Sequence, residues 1–252
     1  MRRIAVLSSL LVALAAGQYI EKYIPLPDSF GSATDPRSVA HDPVRNRLYV
    51  PGYYRVLVVD AATGARVDTL PVDLSLGPIC FDTAGNRLYV SNSPDRQGNN
   101  WEILVFDGTT DSLRARIPTG SDYVVEFSPN PVAGKLLCLL GEENWVQDML
   151  VLSTAGDSVV ALVTPRTDPV PCAAFNPLMN RHYIAGDREV LVFDGVSDSL
   201  RAPVLVNLEV EEVCYNPVGN TVYCGTGDDG GWVYVIDCSL NVVVDSFLRH
   251  AR

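Results

Sequence analysis

The sequence is poor in the residues on which most enzymes and nucleic-acid-binding proteins depend. Its 252 residues include only three histidines, His41, His182 and His250, and none stands in a catalytic constellation. His41 and His182 fall on positions that other repeats fill with Phe81 and Leu88, which points to core or turn placement. There is no Gly-x-Ser-x-Gly elbow and no histidine pair at metal-binding spacing. Gly225-Thr226-Gly227-Asp228-Asp229-Gly230-Gly231 is glycine-rich, but it lacks a following helix and its carboxylates would repel phosphate. No cluster of Lys or Arg relieves a formal charge of −11, so nothing in the sequence would neutralise a nucleic-acid backbone. Nucleic acid is excluded as a partner on that ground. Beyond the first residues no apolar run reaches the roughly 20 residues of a membrane-spanning helix, and no segment of useful length carries a helical period.

Cysteine is present six times without a C-x-x-C pair, which leaves a zinc site little support. Cys80 and Cys214 sit just before the aromatics Phe81 and Tyr215, and Cys172 lies three before Phe175, so all three share one strand face. Cys138 and Cys224 take the place of the valine that ends a recurring Leu-Tyr-Val. The pattern reads as small core hydrophobes, with one disulfide as the alternative.

The first residues have the layout of a secretory leader: Arg2 and Arg3, an apolar run from Ile4 to Ala16, then small residues. We expect a signal peptide over residues 1–17 and a secreted, periplasmic or cell-surface protein without a membrane span.

What is abundant is repetition. Asn46-Arg47-Leu48-Tyr49-Val50 and Asn86-Arg87-Leu88-Tyr89-Val90 are echoed by Gly134-Lys135-Leu136-Leu137-Cys138, Asn180-Arg181-His182-Tyr183-Ile184 and Asn220-Thr221-Val222-Tyr223-Cys224, at spacings of 40 to 48 residues. Each is followed by an apolar run closing on Asp60, Asp107, Ser153, Asp194 or Asp237. Turn residues recur around these anchors, as in Asp42-Pro43-Val44-Arg45-Asn46 and Asn176-Pro177-Leu178-Met179-Asn180, and mark strands joined by tight hairpins. The closing aspartates are expected to bond the amides of their own turns. Four short strands per period, the third almost wholly apolar, describe sheets buried on both faces and packed radially. The expected fold is all-β: a β-propeller of about five four-stranded antiparallel blades over residues 18–252, the blades near 38–72, 77–119, 122–164, 170–206 and 211–248.

Gly85-Asn86-Arg87-Leu88-Tyr89-Val90-Ser91-Asn92, with Val105-Phe106-Asp107 and Ile117-Pro118-Thr119-Gly120, resembles the YVTN-repeat β-propellers. The resemblance runs from Ser38 to Leu248 and blurs in the third unit, where Leu137 replaces the tyrosine and Ser153 the aspartate. It implies an exported propeller, usually seven-bladed, with binding or surface roles and no shared catalytic residues. Tyr19 to Leu26 reads as a further outer strand, so the array is expected to be part of a six- or seven-bladed ring or, alternatively, to close with five blades.

All three tryptophans fall at the end of the loop between the second and third strands: Trp101 after Asn100, Trp145 after Asn144, and Trp232 after Asp228 and Asp229. Tyr53 and Tyr54 occupy the same loop of the first repeat. Aromatic rings beside amides and acids suit stacking on sugars or gripping a protein, so these nine residues are the expected binding face. The expected function is a non-enzymatic binding or scaffold module for a protein or glycan. The alternative is a carbohydrate-active hydrolase or lyase, or a metal-dependent lactonase, working through Asp35, Asp73, Asp122, Asp168 and Glu211. No cofactor is called for, and calcium is the one ion these acids suit.

Overall fold

A computed structural model of the chain describes residues 38–52, 54–73, 77–93, 100–120, 122–142, 145–167, 169–227 and 231–248. The expected leader and the strand expected at Tyr19–Leu26 lie outside the described residues. The described residues contain no helix and hence none long and apolar enough to cross a membrane.

They form five antiparallel sheets, each built from one repeat. The first holds β1 (Ala40–Asp42), β2 (Arg47–Gly52), β3 (Arg55–Asp60) and β4 (Arg66–Pro71) in that order; the second holds β5 (Ile79–Asp82), β6 (Arg87–Asn92), β7 (Trp101–Asp107) and β8 (Leu113–Gly120). The third holds β9 (Tyr123–Asn130), β10 (Lys135–Glu142), β11 (Trp145–Ser153) and β12 (Ser158–Val163). In the fourth, β13 (Ala173–Asn176), β14 (Arg181–Gly186) and β15 (Glu189–Asp194) are followed by an outer strand split into β16 (Ser199–Leu200) and β17 (Val204–Leu205). The fifth holds β18 (Val210–Asn216), β19 (Thr221–Thr226), β20 (Trp232–Asp237) and β21 (Val242–Leu248).

The hairpins form because one residue in each tolerates a left-handed backbone. Asn46, Asn86, Asn180 and Asn220 sit at φ between 47° and 52°, and Gly134 at 62°, in the turn between first and second strands. This explains the asparagine that opens each anchor, since Asn and Gly enter that region at the least cost. The acid or amide that starts the turn holds it closed: Asp42 Oδ1 accepts the Val44 and Arg45 amides at 2.9 and 3.2 Å. Asn130 accepts the Ala133 amide at 3.0 Å, and Asn176 accepts the Leu178 and Met179 amides at 2.9 and 3.1 Å. The closing aspartates behave as expected, with Asp60 accepting the Thr63 amide, Asp107 those of Thr109 and Thr110, and Asp237 those of Ser239 and Leu240.

In the second, third and fourth sheets the second and third strands are buried on both faces because consecutive sheets stack face to face. Four apolar layers result. Tyr49, Val56 and Val58 of the first sheet meet Leu88, Val90 and Leu104 of the second; Tyr89, Ile103 and Val105 then meet Leu136, Cys138 and Leu150 of the third. Leu137, Leu139 and Met149 meet Ile184, Leu191 and Phe193 of the fourth, and Tyr183, Val190 and Val192 meet Val222, Cys224 and Tyr234 of the fifth. His182 lies in this core as its repeat position implies: its Nδ1 is 2.7 Å from Ser128 Oγ, and burial pushes its pKa down to about 3. All six cysteines are free, and Cys138 and Cys224 are wholly buried. Neighbouring first strands follow one another in the order β1, β5, β9, β13, β18, and the described residues show no closed ring.

A polar latch crosses every junction. Its acceptor is the left-handed residue in the last hairpin turn of the following repeat, at φ 57° for Asp111, 49° for Asp157, 51° for Asp198 and 54° for Asn241. Its donors come from the anchor of the preceding repeat. Arg47 reaches Asp111 at 2.6 Å, with Arg45 and the Tyr49 hydroxyl bonding the same carboxylate at 2.8 and 2.9 Å. Arg87 ion-pairs with Asp157 at 2.7 Å, and Lys135 bonds both Asp198 oxygens at 2.6 and 2.7 Å. At the last junction the Tyr183 hydroxyl donates to Asn241 at 2.8 Å while Arg181 donates to the Cys238 carbonyl at 3.2 Å. The cations Arg47, Arg87, Lys135 and Arg181, and the tyrosines Tyr49 and Tyr183, are thus explained by the neighbour they reach.

The turn acids tie sequence to stability in a way that separates shape from charge. Asp42 is fully buried, and Asn stands at its position in three other repeats (Asn130, Asn176, Asn216). Asp42→Asn, which keeps the turn oxygen but gives up the ion pair with Arg45 at 2.8 Å, should therefore cost about 1 kcal/mol, whereas Asp42→Ala, which also leaves the part-buried Val44 and Arg45 amides without their acceptor, should cost about 2–3 kcal/mol in urea melts.

Candidate functional site

Five residues before the closing residue of each third strand, the repeats place Arg55, Glu102, Asp148, Glu189 and Trp232. This layer lies where the strands emerge toward the loops and the connections between sheets. Its acids are held by donors. Glu102 accepts Asn92 Nδ2 at 2.8 Å and Arg116 Nη1 at 2.5 Å; Asp148 accepts the Thr164 hydroxyl at 2.5 Å, and Glu189 that of Thr167 at 2.6 Å. Between the first two sheets the layer opens into a groove of about 340 Å³ lined by Tyr54, Arg55, Pro71, Asp73, Leu113 and Arg116. Tyr54 is 43% exposed there. Asp73 is fixed by its amide bond to Asn92 Oδ1 at 2.8 Å and by Arg116 at 3.4 Å. The groove thus offers an aromatic face beside a guanidinium and a carboxylate, all attached to ordered strand ends.

The sequence-derived binding residues that the structure describes have different surroundings. Tyr53, Asn144, Asp228 and Asp229 lie outside the described residues, as does the side chain of Trp145, which opens β11. Trp101 opens β7 and is 5% exposed, its ring 5.0 Å from that of Tyr123 across the next junction. It packs rather than presents. The Asn100 carbonyl accepts the Ser93 hydroxyl at 3.2 Å. Trp232 keeps 36% of its surface and stacks on Tyr234 with 6.5 Å between ring centres. Of the acids nominated for catalysis, Asp35 and Asp168 lie outside the described residues. The Asp122 carbonyl accepts the Thr119 hydroxyl at 2.7 Å, and Glu211 is exposed beside Gly227, where a Cβ would collide with its carboxylate. Asp73 is the nominee that the fold brings next to a nominated aromatic, Tyr54. Glu102 shares the Arg116 guanidinium with it. The guanidinium stands where a hydrolytic water or glycosidic oxygen would have to stand between two carboxylates.

A second layer was not read from the sequence. Four residues before each turn-opening acid or amide of the first strands lie Ser38, Pro78, Glu126, Cys172 and Glu212. Cys172 donates to Glu212 at 3.4 Å and accepts the Val213 amide at the same distance, as Ser38 Oγ accepts the Ile79 amide at 3.0 Å. Burial, with the charge of Glu212, pushes Glu126 up to about 7. Burial also pushes the Cys172 thiol up to about 12, outweighing the Val213 bond, so it stays protonated and unreactive at neutral pH. Counting back from the turn residues would have aligned this layer. Its signal was hidden because the five side chains share no chemistry.

Among the described residues no three His, Cys, Asp or Glu side chains are grouped to hold a metal ion. No protein-family model matches the chain, and no curated protein matches it.

Glu126 gives the layer a measurable pH dependence. Burial holds its native pKa above the ordinary glutamate range, so the folded state holds the proton more tightly than the unfolded one. Stability from this group is full below the unfolded value and falls as pH rises toward 7. Glu126→Gln should stabilise the protein by about 1–3 kcal/mol at pH 8 and by nothing measurable at pH 4, read by urea melts at both.

Proposed function

We propose that the five sheets are blades of a β-propeller, and that the chain is an exported, non-enzymatic binding module that recognises a glycan on its loop side. Face-to-face stacking of repeat-built sheets, with first strands in sequence order, supports the propeller reading. The observation that carries the binding reading is the groove between the first two sheets. An exposed tyrosine ring covers an apolar sugar face, while Asp73, Arg55 and Arg116 at its edge match hydroxyls. A volume of about 340 Å³ falls at the small end of ligand sites and suits one or two sugar rings. The latch supports it too, since strand ends fixed at every junction need little ordering when a ligand arrives.

A glycan array probed with the full chain, followed by titration of the best hit, tests the reading. Tyr54→Ala and Asp73→Asn are each expected to weaken that hit at least tenfold, about 1.4 kcal/mol, without altering the melting curve. Absence of any retained glycan, or a hit indifferent to both substitutions, would overturn it; capture of a protein by the same face would move the reading to the second partner class.

A further inference from the structure

The junction between the third and fourth sheets carries a groove at the position equivalent to the Tyr54 groove, but with different chemistry. Phe193 and Leu200 stand where Phe106 and Leu113 stand, and Glu189 stands where Glu102 stands. The cavity is larger, about 650 Å³. The cause lies in the outer strand of the fourth sheet, which breaks between β16 and β17: Arg201 still donates its amide to the Val192 carbonyl of β15 at 2.8 Å, but Ala202 and Pro203 leave the pairing. The floor is left apolar, formed by Leu191, Leu200 and Val163. The opposite wall is the connection through Thr164, Arg166 and Thr167.

Both walls are held before any ligand arrives. Thr164 and Thr167 bond Asp148 and Glu189 through their hydroxyls. The Pro169 carbonyl accepts the Val146 amide at 2.8 Å, and Arg201 Nε bonds Asp194 at 2.7 Å. Glu189 and Asp194 are thus each matched by a donor. Arg166 is the exception: it is exposed and makes no hydrogen bond or ion pair among the described residues. In a chain of net charge −11 most neighbouring cations are already paired with acids, so a guanidinium with no partner among the described residues, lining a groove with an apolar floor, is a distinct electrostatic feature.

We propose that this groove binds a small organic acid with an apolar body, its carboxylate on Arg166 and its hydrocarbon on Leu191, Leu200 and Val163. Arg166 offers the planar fork that a carboxylate accepts in two parallel bonds. The volume falls within the range of sites that enclose small ligands. A neutral sugar is disfavoured, because this groove lacks the aromatic face that Tyr54 supplies at the first junction.

Titration of the full chain with 4-phenylbutyrate and with its uncharged amide, followed by calorimetry or NMR, tests the assignment. The acid should bind saturably and at least tenfold more tightly than the amide, as a charge-assisted pair implies. Arg166→Ala should reduce the acid to the affinity of the amide, and Ala202→Trp, which fills the groove from an exposed position, should abolish both, with melting curves unchanged. Equal binding of acid and amide, full affinity in Arg166→Ala, binding that survives Ala202→Trp, or no saturable binding would overturn the proposal. Neither substitution touches the Tyr54 groove, so glycan binding there should persist in both variants.

Discussion

Every junction in this protein depends on a carboxylate or amide held in a left-handed turn and filled by donors from the preceding repeat. The apolar layers supply most of the burial, but they are non-directional: valine and leucine faces would stack in more than one register. A turn acid such as Asp111, 8% exposed at its side chain and met by two arginines and a tyrosine, accepts only one placement. Leaving such an acid unpaired would cost about 3–5 kcal/mol, so the latch selects a register from those that the apolar faces would allow. The grooves inherit their rigidity from this, because their walls are strand ends that the latched turns hold at the opposite side of each sheet.

The latch also has a direction. Each anchor gives its cation forward and each following turn receives it, from the first sheet to the fifth. At the acceptor position of the first sheet stands Gly64, at φ 71°, which offers no side chain. At the cation position of the fifth stands Thr221, whose hydroxyl makes no hydrogen bond. The fifth sheet correspondingly keeps Tyr223 half-buried and β21 exposed along its length, with Val242, Val244 and Phe247 each more than 40% accessible. The outer faces of the first and fifth sheets therefore lack the half of the pair that joins each sheet to its neighbour elsewhere.

Much of the fold was legible because it is local. The left-handed asparagines, the amide-capping aspartates and the apolar third strands are each set by a few neighbouring residues, and they fell where the repeats placed them. What joins the repeats was not legible. Arg47 and Asp111 are 64 residues apart and Lys135 and Asp198 are 63 apart, so no short window contains both halves of a latch. The tryptophans show the same limit. Their shared loop position suggested a common face, yet Trp101 opens a strand whose start is covered by the next sheet, while Trp232 opens one in the fifth sheet, beyond which the described residues place no further sheet. Tyr54 was legible as a loop aromatic, but its company with Asp73, in the connection after β4, and Arg116, on β8, comes from three separate segments of two repeats. The groove at Arg166 was invisible for a related reason: it exists because one outer strand breaks at Arg201–Pro203, and a split strand leaves little trace in the repeat pattern.

The latch is tested most directly where it is simplest, at the Lys135–Asp198 pair, by a double-mutant cycle of Lys135→Met and Asp198→Asn in urea melts. Asparagine tolerates the left-handed turn, so the cycle isolates the pair from backbone strain. A coupling energy of about 1–2 kcal/mol, the range for contacting partly buried charges, is the result expected if the latch joins neighbouring sheets. Additive single effects, with a coupling below about 0.3 kcal/mol, the ordinary limit for independent sites, would contradict it.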